Sequence, residues 1–322
     1  MLHEPDEFQE IRDAVRQLCR QFPDEYFREV DAQRAYPEAF VDALIAAGWL
    51  AAMIPEEYGG TGLGLAAASV IMEEINRAGG NAGAVHGQMY NMGTLLRSGS
   101  AAQKQKYLPD IAAGRLRIQA MAVTEPTTGT DTTKIKTTAV RKDGRWVVNG
   151  QKVWISRVQH SDLMILLART TPLPEVRRKS EGLSVFIVDL HQAVGRGLEV
   201  RPIRNMVNHE TNELFFENLE IPDENLIGTE GQGFRYILDG LNAERTLIAA
   251  ECIGDGRWFV ERATRYANER VVFDRPIGRN QGVQFPIADA YIEIEAADLM
   301  RFDAARRFDA RQPCGAQANM AK

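Results

Sequence analysis

The sequence predicts a multidomain α and β protein with three parts: an N-terminal all-α domain, a middle β-barrel and a C-terminal helical bundle that is incomplete. Apolar residues recur at helical spacing over residues 8–113. From Thr137 the pattern changes to short alternating runs with glycine turns, which is typical of β-hairpins. Helical spacing returns over residues 234–311. The predicted domains are residues 1–119, 120–228 and 229–322.

The N-terminal part is predicted to contain about five helices. Phe8, Ile11, Val15 and Leu18 recur at the spacing that places apolar side chains on one face of a helix. Glycine clusters such as residues 59–64 interrupt this spacing and separate the helices.

The middle part begins with two predicted hairpins, whose turns lie at residues 142–144 and 149–150. Short apolar runs then continue as predicted strands, at residues 163–168, 184–189, 198–201 and 213–219. Gly, Pro and charged residues separate these runs, and a β-barrel or sandwich is the expected result.

The C-terminal part follows a linker at residues 228–233. Two long helices are predicted there, with Pro276 and Gly278 in the turn between them. No internal repeat or low-complexity tract is visible in the sequence.

Composition and charge exclude several classes of protein. The chain has 322 residues, a formal net charge of −6 and no polybasic block, so binding to nucleic acid or to an anionic membrane is not expected. An acidic ligand would need a local basic pocket.

Cys19, Cys252 and Cys314 lie far apart, which predicts neither a disulfide framework nor a metal site. The N-terminus is charged and the longest apolar run, residues 44–54, is too short to span a bilayer, so we expect a cytoplasmic protein without membrane insertion.

Residues 124–131 have the sequence TEPTTGTD, which is rich in hydroxyl groups and turn residues. One interpretation is a polar turn between domains. The other is an anion-binding concavity, in which Gly129 lets a phosphate approach the main chain and Thr130 supplies donors. The motif by itself does not decide between them.

The tripeptide Trp154-Ile155-Ser156 closes a predicted strand. A buried Trp at a packed corner would explain it, because Trp is usually buried for its area. The functional alternative is a Trp that flanks a planar heterocycle, with Ser156 donating a hydrogen bond to a ring nitrogen. Together with the preceding loop, this corner favours a site for the ring and pyrophosphate of a flavin.

A dinucleotide-binding fingerprint is the competing interpretation for residues 62–67, GLGLAA. No buried strand precedes these residues, and no acidic residue follows about 20 positions later, as such a site requires. A glycine-rich helix start explains the segment better.

Four separated motifs resemble those of the acyl-CoA dehydrogenase family of flavoproteins. They are GWLAAMIPEEYGGTG (48–62), TEPTTGTD (124–131), NGQKVWIS (149–156) and RVVFDRPIGRNQ (270–281). They occur in the family's order along essentially the whole chain. The resemblance implies a helical, β-barrel and helical architecture, bound FAD, an acyl-CoA substrate and oxidation to the 2,3-enoyl product.

The resemblance also assigns site residues by position. The residues that it places at the FAD are Met121, Val123, Thr124, Gly129, Thr130, Trp154, Ile155 and Ser156. Arg270, Phe273 and Gln281 match a segment that in the family reaches the FAD of a neighbouring subunit, which implies a homo-oligomer, dimer or tetramer. An electron-transferring flavoprotein is the implied electron acceptor.

Removal of the α-proton of a thioester requires a base, and a carboxylate whose pKa is raised by desolvation is suitable. The resemblance places Glu244 where part of the family carries its catalytic Glu. Glu251, two turns further on, is the reserve candidate. The alternative interpretation of Glu244 is a carboxylate near the N-terminus of a helix that interacts with the helix dipole or with a neighbour four residues on. By resemblance Asn242 and Arg245 contact the CoA portion, with Thr130 as a further substrate contact.

Two departures from the family pattern are visible. The chain stops where the family continues with further helices, so either this is a fragment of a longer product or another chain supplies the closing helices. Asp274 stands where the family commonly has Gly, and its carboxylate could weaken binding of the FAD pyrophosphate.

Other functions on the same fold stay open. The nearest is an acyl-CoA oxidase or flavin monooxygenase, and a non-catalytic truncated subunit is a further alternative. His86, His160 and His209 lack metal or triad spacing and are interpreted as structural or surface residues.

Overall fold

The computed structural model describes residues 7–322. The α-helices in these residues are α1 (Gln9–Cys19), α2 (Asp24–Ala32), α3 (Glu38–Ala46), α4 (Leu65–Arg77), α5 (Gly83–Ser98), α6 (Ala101–Ala112), α7 (Leu190–Ala193), α8 (Gly233–Glu269), α9 (Gln281–Asp309) and α10 (Gly315–Ala321). The strands are β1 (Ala120–Ala122), β2 (Thr138–Lys142), β3 (Arg145–Ser156), β4 (Leu163–Arg169), β5 (Leu183–Asp189), β6 (Leu198–Pro202), β7 (Thr211–Pro222), β8 (Leu226–Ile227), β9 (Val271–Val272) and β10 (Arg275–Pro276). The predicted order of helical, β and helical regions is confirmed.

Between residues 7 and 119 the structure has six α-helices, one more than the spacing predicts. The extra helix is α2, which has no buried residue. Without a buried apolar face, hydrophobic periodicity gives little signal for it.

The chain divides into two compact units. One comprises residues 7–29, 63–83 and 242–322 of the described chain, and the other comprises residues 30–62 and 84–241. The second unit contains all the strands except β9 and β10.

The predicted barrel is wrong in one respect: the sheet is open. Its strands follow the order β6-β7-β3-β2-β4-β5-β8, and β1 pairs with β4 in parallel. The end strands β6 and β8 have no ladder with each other. Only one residue pair, Thr138 with Arg169, joins β2 to β4.

The hairpin between β2 and β3 is confirmed, and its turn contains Asp143 (φ 50°) and Gly144 (φ 75°). The second predicted turn, at Asn149 and Gly150, is wrong because β3 continues through it. The register with β7 shifts at this point. A Cβ atom on Gly150 would lie 2.5 Å from the Thr137 hydroxyl, so the glycine permits a close approach of two chain segments.

Strand β4 is buried along its whole length, because apolar layers cover both of its faces. Met164 and Leu166 join a cluster with Trp146, Phe186 and other residues of the sheet. The alternate residues of β4 pack against helical residues of the same unit, including those of α5 and α6. This two-sided core explains why the sequence of β4 is continuously apolar.

The first unit is held by a buried network of charges between α1, α4, α8 and α9. Glu73 is fully buried; its carboxylate pairs with Arg12 at 2.9 Å, with Arg301 at 2.7 Å, and also with Arg257. Burial would lower the pKa of Arg257, but the carboxylates of Glu73 and Asp298 outweigh that effect and raise it. The helices of this unit are therefore joined by ion pairs as well as by apolar packing.

We predict that Glu73→Gln lowers the free energy of unfolding by about 3–5 kcal/mol, because it leaves buried guanidinium groups without their shared anion. Urea denaturation followed by circular dichroism measures the change. Glu295→Gln is the matched control: this carboxylate also pairs with Arg257, but its side chain is 42% exposed, so the loss should stay within about 1 kcal/mol. Equal losses in the two variants would contradict the prediction.

Candidate functional site

The loop between β1 and β2 begins with a tight turn. The main-chain N–H groups of Glu125 and Thr128 each donate to the other residue's carbonyl, at 3.1 and 3.0 Å. Gly129 and Thr130 follow this turn and are exposed. A Cβ atom on Gly129 would meet only Thr124 within 4 Å, at 3.9 Å. The main chain at Gly129 is thus open to a ligand, as an anion-binding loop requires.

A buried ion pair fixes this loop to β3. The Lys152 ammonium donates to Glu125 Oε1 at 3.0 Å and to the Val123 carbonyl at 2.9 Å. The Glu125 carboxylate also accepts the main-chain N–H groups of Lys136 and Thr137, at 2.6 and 2.9 Å. Loop, strand and the entry to β2 are thereby joined through one carboxylate.

Both partners of this pair have shifted pKa values. Burial lowers the pKa of Lys152 to about 8, although the Glu125 carboxylate opposes the shift. For Glu125, burial acts to raise the pKa, but the Lys152 charge and the main-chain hydrogen bonds outweigh it and hold the pKa below its ordinary value. The carboxylate is therefore the stable form inside this loop.

Trp154 has an unusual conformation for a strand residue. Its φ is 63°, in the left-handed region, and its side chain lies on the surface with 58% of the residue exposed. The register between β3 and β7 shifts between Lys152 and Ile155, on either side of it. A bulky residue in this backbone region is strained, and such strain concentrates at binding and catalytic sites. The expectation of a simple packed core Trp does not hold, because the ring is not in the core.

The next residues are held by β7. Ile155 is buried and lies opposite Asn212, while Ser156 lies opposite Thr211. The Asn212 amide donates to the Ile155 carbonyl at 3.2 Å. Met121, Val123, Thr124 and Ser156 are all half-buried, so the residues of this corner remain within reach of a ligand.

In the first unit, Glu244 lies on α8 with 20% of its side chain exposed, and Lys322 Nζ lies 3.3 Å from its Oε1. Arg245 donates to the amide oxygen of Asn242 at 3.2 Å. These residues are brought together by helical spacing on α8. Glu251 is also half-buried on the same helix.

Strands β9 and β10 form a short hairpin whose turn residues are Phe273 (φ 52°) and Asp274 (φ 58°). Two consecutive left-handed residues define the type I′ turn, which favours Gly, Asn and Asp. Arg270 precedes this hairpin and is exposed, and Phe273 is 93% exposed at its tip. Gln281 is the first residue of α9 and is also exposed.

The sequence-based reasoning missed the residues that hold the corner in place, namely Glu125, Lys152 and Asn212. One signal was available: Lys152 sits in β3 at a position whose side chain must point into the protein if its neighbours alternate. His160 stacks on Tyr36 with ring centroids 4.0 Å apart, His209 pairs with Asp31 at 2.8 Å, and His86 is buried on α5.

No helix within residues 7–322 combines the length and the apolar character needed to cross a membrane.

Three consecutive segments of the chain match the three domains of one protein family. Residues 5–115 match "Acyl-CoA dehydrogenase, N-terminal domain", residues 120–219 match "Acyl-CoA dehydrogenase, middle domain", and residues 231–322 match "Acyl-CoA dehydrogenase, C-terminal domain".

Known proteins resemble the chain over its whole length. An acyl-CoA dehydrogenase of Bacillus subtilis (strain 168) is 32% identical over 324 residues, covering 100% of this chain and 84% of the relative. A solved glutaryl-coenzyme A dehydrogenase in complex with glutaryl-CoA superposes with a TM-score of 0.91 and 30% identity, covering 100% of this chain and 82% of the other. A chain described as electron transferring flavoprotein of Acidaminococcus fermentans superposes with a TM-score of 0.90 and 30% identity, covering 100% and 84%.

We predict that Lys152→Met lowers the free energy of unfolding by about 3–5 kcal/mol, because the Glu125 carboxylate is left buried without its cation. Adding Glu125→Gln to this variant should recover much of the loss, since the uncompensated charge is then gone. Lys136→Met, at an exposed position of the same segment, is the control and should change stability by less than about 0.5 kcal/mol. A double variant no more stable than Lys152→Met would refute the explanation.

At the β9–β10 turn we predict that Asp274→Ala is less stable than Asp274→Gly by about 1 kcal/mol, because Gly adopts a positive φ without steric cost. Thermal unfolding of the two variants gives the comparison. An Ala variant as stable as the Gly variant would show that residue 274 does not need the left-handed conformation.

Proposed function

Because the chain belongs to the acyl-CoA dehydrogenase family, we propose that it is an FAD-dependent oxidoreductase that converts an acyl-CoA thioester to the 2,3-enoyl-CoA. The observation that carries this proposal is the strained, exposed Trp154 directly before Ile155 and Ser156. The main-chain N–H of the preceding residue, Val153, donates to the Thr124 carbonyl at 2.9 Å, which joins this corner to the loop that carries the open Gly129. We further propose three domains, residues 1–119, 120–228 and 229–322.

The residues of the second unit fit FAD. The loop at Gly129 and Thr130 offers exposed main-chain and hydroxyl donors for a pyrophosphate. The exposed Trp154 offers an aromatic face for a planar ring, and the half-buried Ser156, two residues further along β3, offers a hydroxyl. Met121, Val123, Thr124 and Ile155 complete the proposed contacts. When bound, FAD supplies the acceptor for the hydride that leaves the β-carbon.

Glu244 is the proposed base, and it would take the proton from the α-carbon of the thioester at a carboxylate oxygen. Only 20% of its side chain is exposed. The Lys322 ammonium must release the carboxylate for this role, because an oxygen held in an ion pair is not free to accept the proton. Asn242 and Arg245 are proposed to contact the CoA portion, where a guanidinium suits a phosphate or carbonyl.

The proposal also includes a second copy of this chain and an electron acceptor. Arg270, Phe273 and Gln281 are proposed to reach the FAD of a second copy, and an exposed Phe273 at a hairpin tip is consistent with such a contact. The proposed acceptor of the electrons is an electron-transferring flavoprotein, and the proposed location is the cytoplasm.

We predict that the purified FAD-loaded protein shows a flavin absorbance band that bleaches when an acyl-CoA is added without oxygen. Glu244→Gln should retain the band and lose bleaching by roughly 10²-fold or more, because the base is gone while the proposed FAD contacts stay intact. Absorbance at the flavin maximum in a stopped-flow instrument measures both.

Glu251→Gln is the matched control on the same helix and should bleach at nearly the wild-type rate. A Glu244→Gln variant with full activity would remove Glu244 from the proposal. If the wild type neither takes up FAD nor bleaches with any acyl-CoA, the proposed function is wrong. High peroxide yield in air would favour the oxidase alternative.

A further inference from the structure

Three side chains of the second unit carry buried polar atoms without a partner, and we name these residues the polar cluster. They are Asn91 on α5, Gln119 directly before β1 and Arg157 directly after β3. Both amide atoms of Asn91, Nε2 of Gln119 and Nε of Arg157 have no hydrogen-bond partner within residues 7–322. Asn91 and Gln119 are 0% exposed, and only 12% of the Arg157 side chain is exposed. Unpaired polar atoms are costly inside a protein, so these atoms require an explanation.

Gly87 on α5 brings two members of the polar cluster together. A Cβ atom on Gly87 would lie 2.9 Å from the main-chain oxygen of Gln119. It would also lie 3.1 Å from Nη2 and 3.2 Å from Nε of Arg157. The guanidinium and the main chain of Gln119 therefore meet at one point of the helix, where a glycine leaves room for both.

Asn91 belongs to the same face of α5. It lies four residues after Gly87 and three after Gln88, and residues at these separations are neighbours on a helix. Gln88 also faces the segment before β1, because its Oε1 accepts the main-chain N–H of Ile118 at 3.2 Å. The polar cluster thus gathers where this face of α5 meets the start of β1 and the end of β3.

Neighbouring groups hold two members of the polar cluster in place. Tyr36 donates its hydroxyl to Oε1 of Gln119 at 2.7 Å, which leaves the amide nitrogen to donate elsewhere. Nη1 of Arg157 lies 3.4 Å from Oε1 of Glu210. The donors are therefore oriented before any ligand arrives, which reduces the entropic cost of binding.

The chemistry of the unpaired atoms favours a neutral oxygen as their partner. Three of the atoms are donors, and the amide oxygen of Asn91 is an acceptor. A hydroxyl or carbonyl oxygen can accept from several donors at once. A carboxylate is less suitable, because the Glu210 carboxylate already lies beside the guanidinium and would repel a second negative charge.

The polar cluster adjoins the corner that is proposed to hold the flavin ring. Arg157 directly follows Ser156, and Gln119 lies two residues before Met121. A thioester that is oxidised at this ring has its α- and β-carbons there. The part of the acyl group beyond the β-carbon is then the part that can reach the polar cluster.

Ordered water is the simpler occupant of such atoms. Water in this place would leave the choice of substrate unaffected unless the acyl group displaced it. A hydrocarbon chain that displaced it would leave the donors unpaired, whereas an oxygen function would replace the lost hydrogen bonds.

We propose that Asn91, Gln119 and Arg157 form a subsite for a hydroxyl or carbonyl oxygen on the distal part of the acyl group. The substrate class is then an oxygen-bearing acyl-CoA and not a plain hydrocarbon acyl-CoA. This inference rests on the proposed function and deepens it. Water and FAD are the other possible partners of these atoms, and the experiment distinguishes all three.

The test compares four thioesters as substrates of the FAD-loaded wild type: hexanoyl-CoA, 5-oxohexanoyl-CoA, 5-hydroxyhexanoyl-CoA and adipoyl-CoA. Steady-state kinetics with an artificial electron acceptor give kcat/KM for each. We expect at least one of the two neutral oxygen-bearing thioesters to be preferred over hexanoyl-CoA by about tenfold or more, because the hydrocarbon end leaves buried donors unpaired. Adipoyl-CoA, which ends in a carboxylate, should show no such preference. Equal values for all four thioesters, or a preference for adipoyl-CoA, would overturn the inference.

Asn91→Leu tests the polar cluster directly, because leucine has a similar branched shape and no polar atom. We expect the preference for the oxygen-bearing thioester to fall about tenfold. The thermal unfolding temperature should not fall, since two unpaired buried atoms are removed. Gln119→Met is the second variant and should reduce the preference in the same way.

Gln88→Met is the matched control on the same helix. Gln88 is also a buried amide, at 1% exposed, but its oxygen is bonded to the main chain at Ile118. This variant should unfold at a lower temperature and keep the wild-type preference. A preference that is unchanged in both Asn91→Leu and Gln119→Met would overturn the inference and leave water as the occupant. A loss of bound FAD in these variants with unchanged preference would also overturn it and assign the atoms to the cofactor.

Binding measurements separate this inference from the proposed function. Isothermal titration calorimetry on FAD-loaded Glu244→Gln compares 5-oxohexanoyl-CoA and 5-hydroxyhexanoyl-CoA with hexanoyl-CoA, and we expect about tenfold tighter binding of an oxygen-bearing thioester. Adding Asn91→Leu should remove the difference. If hexanoyl-CoA is oxidised and neither oxygen-bearing thioester has an advantage in kinetics or binding, the proposed function stands and the subsite is wrong. If the binding difference is found but no thioester bleaches the flavin of the wild type, the subsite stands and the proposed oxidation is wrong.

Discussion

The buried ion pair between Lys152 and Glu125 is the constraint on which the candidate site of the second unit depends. A slip of β3 by one residue would turn Lys152 to the other face and leave the Glu125 carboxylate without its cation in a buried position. Apolar side chains alone tolerate such shifts better, because they need only volume and not a specific partner. The pair therefore fixes the register of the strand and the path of the loop together.

The strain at Trp154 follows from this fixed register. Lys152 is tied two residues before it, and Asn212 bonds the Ile155 carbonyl directly after it. Val153 and Trp154 lie between these two held residues, and Trp154 absorbs the irregularity by adopting φ 63°. A residue in a left-handed conformation persists only where its surroundings determine it, and here the result is an aromatic face turned to the surface.

The two compact units use different means of holding their elements. In the second unit, a strand buried on both faces joins two apolar layers, so burial of apolar area dominates. In the first unit, Glu73 and its arginines join four helices in addition to apolar contacts. Such networks add little net stability but are costly to break, so they favour one arrangement of the helices over others.

The sequence by itself determined the order of helical and β regions, the hairpin at Asp143 and the identity of the loop and corner motifs. It could do so because periodicity and turn chemistry are local properties of the chain. Its prediction of a turn at Asn149 and Gly150 failed. Gly150 lies inside β3 instead, where Thr137 comes so close to the main chain that a side chain would not fit.

The tertiary structure alone decided that the sheet stays open, that Trp154 is exposed and strained, and that the buried Arg169 joins the connection between β4 and β5 to the carbonyls of Thr133 and Ile135. It also decided the pairing of Lys152 with Glu125, whose positions are 27 residues apart. Each of these depends on which distant segments meet. The pKa of a buried charged group depends on the partner that folding brings to it, and no local sequence pattern specifies that partner.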